Sequence, residues 1–417
     1  VVKKAKEMTQ SKKIETTPLS PYQILLIVVF GFVLFTIVVD YMTLPALSAI
    51  LLPELNITTK QFGLVVSAYA FSAGISAFLA TGFLDRFDRK KSLLFYYGGF
   101  TLGILLCATS NSLYSLVIAR IITGSFGGVV AAICYAIVAD LFHKDQRGRV
   151  MGFVQLAFAA GLVVGLPVAM YLATNYYWQL IYSIFVLIGL ILLVIILFKF
   201  KPVNDHLNQK QKETPIKHSV NIVKNRDYWK LFANNILLVL GDTMFMTFGS
   251  AYSTNNLGIS VDELPILYGI AGLSTIVLSP FIGQLSDKVG KLQIFIVGSV
   301  IGIVSIAVFS NLGEVPFWLV AVLHTLIFIG INARMISSTA LATVIPNKND
   351  RGSFMSLDSS FQQVTGGIGA TIAGLIVFQA ADGMIYGYSN LGWTVIGLML
   401  ITIGLMYSIN ITLKKRR

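Results

Sequence analysis

The chain has 417 residues, of which 55% are hydrophobic and only 12% charged, and its mean hydropathy is +0.77. That balance points away from a soluble domain and toward a protein that crosses a bilayer many times. The net charge of +12 would suit a nucleic-acid binder, but its placement along the chain argues for a topology signal and against nucleic acid.

A membrane span needs roughly 20 apolar residues. Such stretches are predicted near 22–45, 61–80, 93–110, 113–141, 150–173, 179–199, 230–252, 264–284, 292–311, 316–342, 353–378 and 390–412. Of the 31 Lys and Arg residues, 28 fall in alternate gaps, the termini included. The opposite gaps hold Lys60 with Glu54, Asp262, Glu263, Glu314 and Asp382. The excess of positive charge on one side predicts that both termini are cytoplasmic. The expected organisation is an N-terminal tail (1–21), a six-helix bundle (22–199), a cytoplasmic linker (200–229), a second six-helix bundle (230–412) and a C-terminal tail (413–417). The first 20 residues are basic and polar, so no cleavable signal peptide is expected. Cys107 and Cys134 both fall inside spans and read as small packing residues rather than a disulfide. No Cys or His pair has metal-ligand spacing, and no cofactor is expected. No glycine-rich run ends in Gly-Lys-Ser or Gly-Lys-Thr, so an ion gradient is the expected energy source. Nothing suggests a hydrolase triad, and an enzyme is not expected.

The two halves repeat at a shift of 202 to 204 residues. Asp40 answers Asp242, Asp85 answers Asp287, Arg120 answers His324, Arg147-Gly148 answers Arg351-Gly352, and Gly165 answers Gly369. Parallel six-helix repeats about an axis along the membrane normal are a transporter architecture. The loop after the second span reads Gly82-Phe83-Leu84-Asp85-Arg86-Phe87-Asp88-Arg89-Lys90-Lys91, and a weaker copy runs from Gly283 to Lys291. This resembles the loop motif of the major facilitator superfamily, with two departures. Asp85 follows Gly82 by three residues where the family usually has four, and Asp88 replaces a second glycine. The fourth span carries Leu116, Arg120, Gly124 and Gly128, similar to the Arg-and-glycine motif of proton-coupled members, with Thr123 where Gln is common. Gly161, Gly165 and Pro167 in the fifth span partly resemble the antiporter signature. The resemblance implies an all-α membrane protein of twelve transmembrane helices in two pseudo-symmetric bundles, closest to the drug and metabolite:proton antiporters that include sugar-efflux-like permeases. It also implies a monomer.

Ionisable groups inside spans are costly, about 2.5–3.5 kcal/mol each on insertion scales, and normally face the bundle interior. Asp40 lies about 18 residues into the first span and Arg120 about 7 into the fourth, which runs the other way; at ~1.5 Å per residue they share a depth. A proton can break such a pair, which makes Asp40 and Arg120 the expected proton-coupling groups, with a permanent helix-to-helix ion pair as the alternative. Asp242 and His324 are expected as their second-half counterparts. Arg334 either balances Asp242 or Asp358 or binds an anionic substrate group. By resemblance, Gly82, Asp85, Arg86, Arg89, Asp140 and Asp287 are gating residues. Asp140 would pair with Arg86 or Arg89, Asp85 would sit by the start of the eleventh helix, and Asp287 would mirror it at the fifth. The resemblance also implies a cavity between the halves. Its expected lining is Phe35, Tyr69, Tyr135, Gln155, Asn234, Asn235, Phe245, Asn332, Gln362 and Gln363, a set of aromatics and amides suited to an amphipathic small molecule. The expected function is proton-coupled efflux of a small organic compound across a bacterial cytoplasmic membrane. Proton-coupled uptake of a nutrient or organic anion is the second reading, and a non-transporting receptor or scaffold the third.

Overall fold

The computed structural model describes residues 19–80, 84–204, 207, 215–347 and 350–416. Helix α1 (Pro21–Ala46) leads into the short α2 (Ser48–Glu54), followed by α3 (Thr59–Ala80), α4 (Arg89–Ala108) and α5 (Leu113–Leu141). Helix α6 (Lys144–Ala160), a π-helical turn (Gly161–Gly165) and α7 (Leu166–Asn175) form one run, and α8 (Gln179–Lys199) ends the first half. The second half comprises α9 (Pro215–Lys224), α10 (Arg226–Met246), α11 (Gly249–Asn255), α12 (Leu264–Val289), α13 (Lys291–Phe309), α14 (Phe317–Val344), α15 (Arg351–Ile376) and α16 (Tyr388–Arg416). Among the described residues, ten helical stretches are long and apolar enough to cross a membrane. The α6–α7 run and α15 occupy the places of the expected fifth and eleventh spans. Helix α15 is diluted by polar residues, some of which face protein: Asp358 bonds to α10 and the Ser360 carbonyl approaches α3.

Local chemistry explains the helix starts. Ser20 and Gln23 form a reciprocal cap at α1, and Ser112 with Ser115 does the same at α5. Asp88, the departure from the loop motif, has a structural reason. Its Oδ1 accepts from Lys91 N at 2.8 Å, capping α4, and its Oδ2 accepts from Val203 N at 3.1 Å. Lys90 Nζ adds a 2.8 Å bond to the Leu197 carbonyl. A glycine at 88 would lose both carboxylate bonds, leaving the Arg89 N–H to Val203 carbonyl bond and Lys90 to tie this loop to the end of the sixth span.

The halves meet along two seams. Helix α3 packs on α15, and α12 packs on α7 and the π turn. Glycines allow the approach: a Cβ on Gly63 would lie 2.7 Å from the Ala370 carbonyl oxygen, and one on Gly272 would lie 2.7 Å from that of Leu162. At the end of the molecule that carries a small hairpin (β1, Phe378–Gln379; β2, Ile385–Tyr386), α2 and α11 clasp each other. Ser48 Oγ and Ser250 Oγ are 2.7 Å apart, at a separation of 202 residues. Ser250 Oγ accepts from Ala49 N and Ser48 Oγ accepts from Ala251 N, both at 3.3 Å. A residue that touches its own repeat counterpart lies on the pseudo-two-fold axis, so this clasp marks the axis. Thr59 Oγ1 also donates to the Val377 carbonyl at 2.6 Å. The hairpin end is therefore closed between the halves.

Gly63→Ala should weaken that closure. The added methyl would be forced against the Ala370 carbonyl and lie 3.3 Å from Gly374 Cα, and overpacking of this kind costs about 1–3 kcal/mol. A cysteine placed at Ser250 should then react faster with a thiol reagent in the Gly63→Ala background. An unchanged rate would show that the α3–α15 approach does not hold the end shut.

Candidate functional site

Among the described residues, two buried ion pairs lie deep within the helices, one in each half. In the first, Arg120 Nη1 on α5 donates to Asp40 Oδ1 on α1 at 2.8 Å. Both side chains are sealed, 2% and 0% exposed. The Tyr69 ring lies against the guanidinium, 4.4 Å from its carbon. In the second, Arg334 Nη1 on α14 donates to Asp242 Oδ1 on α10 at 3.2 Å. Here the partners differ: Arg334 is 2% exposed and Asp242 16%. Arg334 is held from behind, its Nη2 donating to Thr402 Oγ1 at 3.4 Å and its guanidinium 5.7 Å from the Phe295 ring centre.

The exposure of Asp242 opens onto a cavity of about 310 Å³ between the halves. Its wall includes Tyr41 and Met42 from α1, Asp242 and Met246 from α10, Tyr268 from α12 and Met335 from α14. The surface is apolar and rich in thioether and aromatic groups, with Asp242 as the carboxylate in its lining. Such walls adapt to varied apolar shapes, while a polar group fixes orientation. A second cavity of about 220 Å³ lies at the hairpin end, lined by Ser48, Asn255, Gln379 and Asp382 among others, and touches neither ion pair.

The expectation that His324 partners Asp242 is corrected. His324 is buried among Tyr268, Phe309 and Phe328, with ring centres 5.0, 6.4 and 4.9 Å away, and its Nδ1 has no hydrogen-bond partner. Arg334, ten residues or about 15 Å further along α14, takes the place that the repeat register assigned to His324. Of the roles expected for Arg334, the one the geometry meets is the balance of Asp242: the two lie near the middle of spans that run in opposite directions.

The expected lining is also corrected: of those residues whose side chains are described, none forms the wall of the central cavity, and neither does Arg334. Asn234, Asn235 and Gln362 are engaged in a polar network with Ser338 and Asp358. Asn332 Nδ2 donates to Ser279 Oγ at 2.8 Å. Phe245 packs on Phe309 and Tyr388 and is buried. Tyr69 stands one layer behind Tyr41, with ring centres 5.7 Å apart. Phe35 packs near Gly165, and Tyr135 and Gln363 are half-buried away from the wall. The Gln155 side chain lies outside the described residues.

Of the gating set, Arg89 Nε donates to Asp140 Oδ2 at 3.2 Å. Arg86 is exposed. The Asp287 side chain is 76% exposed and pairs with Lys291 at 3.1 Å, four residues on at the start of α13. Among the described residues, the packing of α12 on the fifth span runs mainly through the π turn and α7. Gly82 and the Asp85 side chain lie outside the described residues.

The sequence profile described as Major Facilitator Superfamily matches residues 29–370 and 231–415. A relative described as the uncharacterised transporter YbcL of that type, from Bacillus subtilis (strain 168), is 24% identical over 323 residues, covering 78% of this chain and 81% of the relative. A bicyclomycin resistance protein homologue from Haemophilus influenzae is 23% identical over 344 residues, covering 80% and 84%. Among solved structures, a bacterial homologue of the human lysosomal transporter Spinster, captured inward-facing and unoccupied, superposes with a TM-score of 0.74 at 13% identity, covering 96% of this chain and 99% of its own. The profile match across most of the sequence, together with two helical halves joined around a central cavity, establishes the family. The chain is a multi-pass membrane transporter, not an enzyme, and belongs to the major facilitator superfamily.

Proposed function

We propose that this transporter exports an amphipathic small organic compound in exchange for protons, and that Asp242 is the group that takes up and releases the proton. The observation that carries this reading is the asymmetry of the second ion pair. Asp242 faces the cavity while Arg334 is anchored behind it by Thr402 and Phe295. A proton arriving through the cavity neutralises the carboxylate and breaks the pair without dislodging the guanidinium. The change in pairing then biases the packing of α10 against α14, and so the balance between the two access states. Asp40 and Arg120, sealed from the cavity, act as the structural ion pair of the first half. The apolar, methionine-bearing wall supports an amphipathic substrate, and the bicyclomycin resistance relative supports export.

The reading places both termini in the cytoplasm of a bacterial cell and the hairpin end outside, with a monomer as the working unit. A cysteine at Asp262 should react with an impermeant thiol reagent from outside intact cells, and one at Lys210 should not. Both native cysteines are buried, which keeps the background low. Labelling at both positions from outside would overturn the orientation. Arg89→Ala should slow transport while sparing ligand affinity, because the Arg89–Asp140 pair joins α4 to α5 at the linker end and not at the cavity. Normal turnover in that variant would remove the pair from gating.

A thermal-shift screen of the purified protein against amphipathic cations, neutral antibiotics and organic anions tests the substrate class, since a ligand of the native state raises its stability by mass action. Stabilisation by cationic or neutral amphiphiles is expected. Stabilisation by small organic anions alone would contradict the proposed chemistry.

A further inference from the structure

A third buried carboxylate lies outside both ion pairs. Asp358 on α15 is 3% exposed, and among the described residues it has no basic partner. Its Oδ2 accepts from Asn235 Nδ2 and from Gln362 Nε2, both at 2.8 Å. Its Oδ1 has no hydrogen-bond partner. The network continues through Asn235 Oδ1, which accepts from the Ser338 hydroxyl, and Ser338 Oγ accepts from Asn234 Nδ2 at 2.9 Å. At the far end Asn234 Oδ1 is also buried and without a partner. One hydrogen-bonded chain thus links α10, α14 and α15 and ends in a carboxylate oxygen and an amide oxygen, each lacking a donor.

This arrangement is unfavourable as it stands. A buried carboxylate needs a balancing positive charge, and a buried oxygen acceptor without a donor costs roughly 1–3 kcal/mol. Arginine balances Asp40 and Asp242, and among the described residues no arginine pairs with Asp358. The amides next to Asp358 turn their N–H groups to Oδ2, and the oxygens that the network leaves without a donor are Asp358 Oδ1 and Asn234 Oδ1; transporters built from repeats hold coupling ions within the membrane on oxygens of this kind. One carboxylate balances one positive charge. The amide N–H groups that occupy Oδ2 leave Oδ1 as the carboxylate oxygen without a partner.

We propose that the Asp358–Asn235–Ser338–Asn234 network is a binding site for a monovalent alkali cation, separate from the Asp242 site and additional to the proton coupling proposed above. The ion neutralises Asp358 and joins α10, α14 and α15 within the second half, so its occupancy stiffens that bundle. No covalent step is involved.

The test uses the full-length protein in detergent with sodium chloride exchanged for choline chloride at constant ionic strength. Sodium should raise the melting temperature saturably in the wild type and in Asp242→Asn, and should have no effect in Asp358→Asn. Asn234→Ala, which keeps the carboxylate, should shift the sodium dependence to at least tenfold higher concentration. It therefore gives a second reading should Asp358→Asn fail to fold. A wild-type protein whose melting temperature responds to pH but not to sodium would overturn the proposal and leave Asp358 as a proton site. Sodium stabilisation that persists in Asp358→Asn would overturn it equally. Loss of proton coupling in Asp242→Asn with sodium stabilisation intact keeps the two sites distinct.

Discussion

Asp242→Asn is expected to abolish uphill transport driven by a pH gradient while leaving ligand binding within a few-fold of the wild type. The asparagine keeps the shape of the cavity wall and can still accept a hydrogen bond from Arg334, but it cannot carry the exchangeable proton. Exchange of labelled for unlabelled ligand, which requires access to alternate but no proton movement, should survive. The measurement compares gradient-driven accumulation with exchange in proteoliposomes containing each form. Accumulation at the normal rate in Asp242→Asn would remove this carboxylate from the coupling step. Arg334→Ala should be more damaging, because it leaves Asp242 as an unbalanced charge and frees Thr402 on α16.

The largest effect on stability is expected at Arg120. Its guanidinium and the Asp40 carboxylate are fully enclosed at 2.8 Å, and removing one member of a buried pair typically costs about 3–5 kcal/mol because the other charge is left unpaired. Arg120→Ala should therefore lower the yield and melting temperature sharply. Asp40→Asn/Arg120→Ala, with no charge left over, should recover part of the loss. Thermal unfolding of the two single variants and the double variant forms a double-mutant cycle whose coupling term reads the interaction. If the losses simply add, the pair is not energetically coupled. If Asp40→Asn folds well but loses proton-driven flux, the first pair shares the coupling role that the exposure of Asp242 assigns to the second.

The sequence made the helices legible because hydrocarbon forces long apolar runs and the charge bias marks their ends. It also made Asp40 and Arg120 legible as a pair, since two charges at one depth in antiparallel helices have few other partners. Arg334 was legible as a counter-charge for Asp242 or Asp358, beside the alternative of a substrate anion. The internal repeat pointed to His324, and a repeat fixes the backbone register while leaving each half free to take its cation from another turn. The cavity lining was the least legible part. Helical periodicity tells which residues share a face but not which neighbouring helix that face meets. Asn234, Asn235 and Gln362 look like substrate ligands for their polarity, yet Asn235 and Gln362 donate to Asp358 and Asn234 donates to Ser338. Asp88 read as a broken motif until its bonds to Lys91 and Val203 showed what the carboxylate does there.

Proton movement during transport tests the coupling claim most directly. Wild-type proteoliposomes loaded with a pH-sensitive dye, with no imposed gradient, would receive the strongest stabilising compound from the thermal-shift screen on one side. The account predicts that the compound's flux drives protons the opposite way across the wild-type membrane, that a protonophore collapses the signal, and that Asp242→Asn gives none. Flux of the same compound through the wild-type protein with no accompanying proton movement would contradict the account.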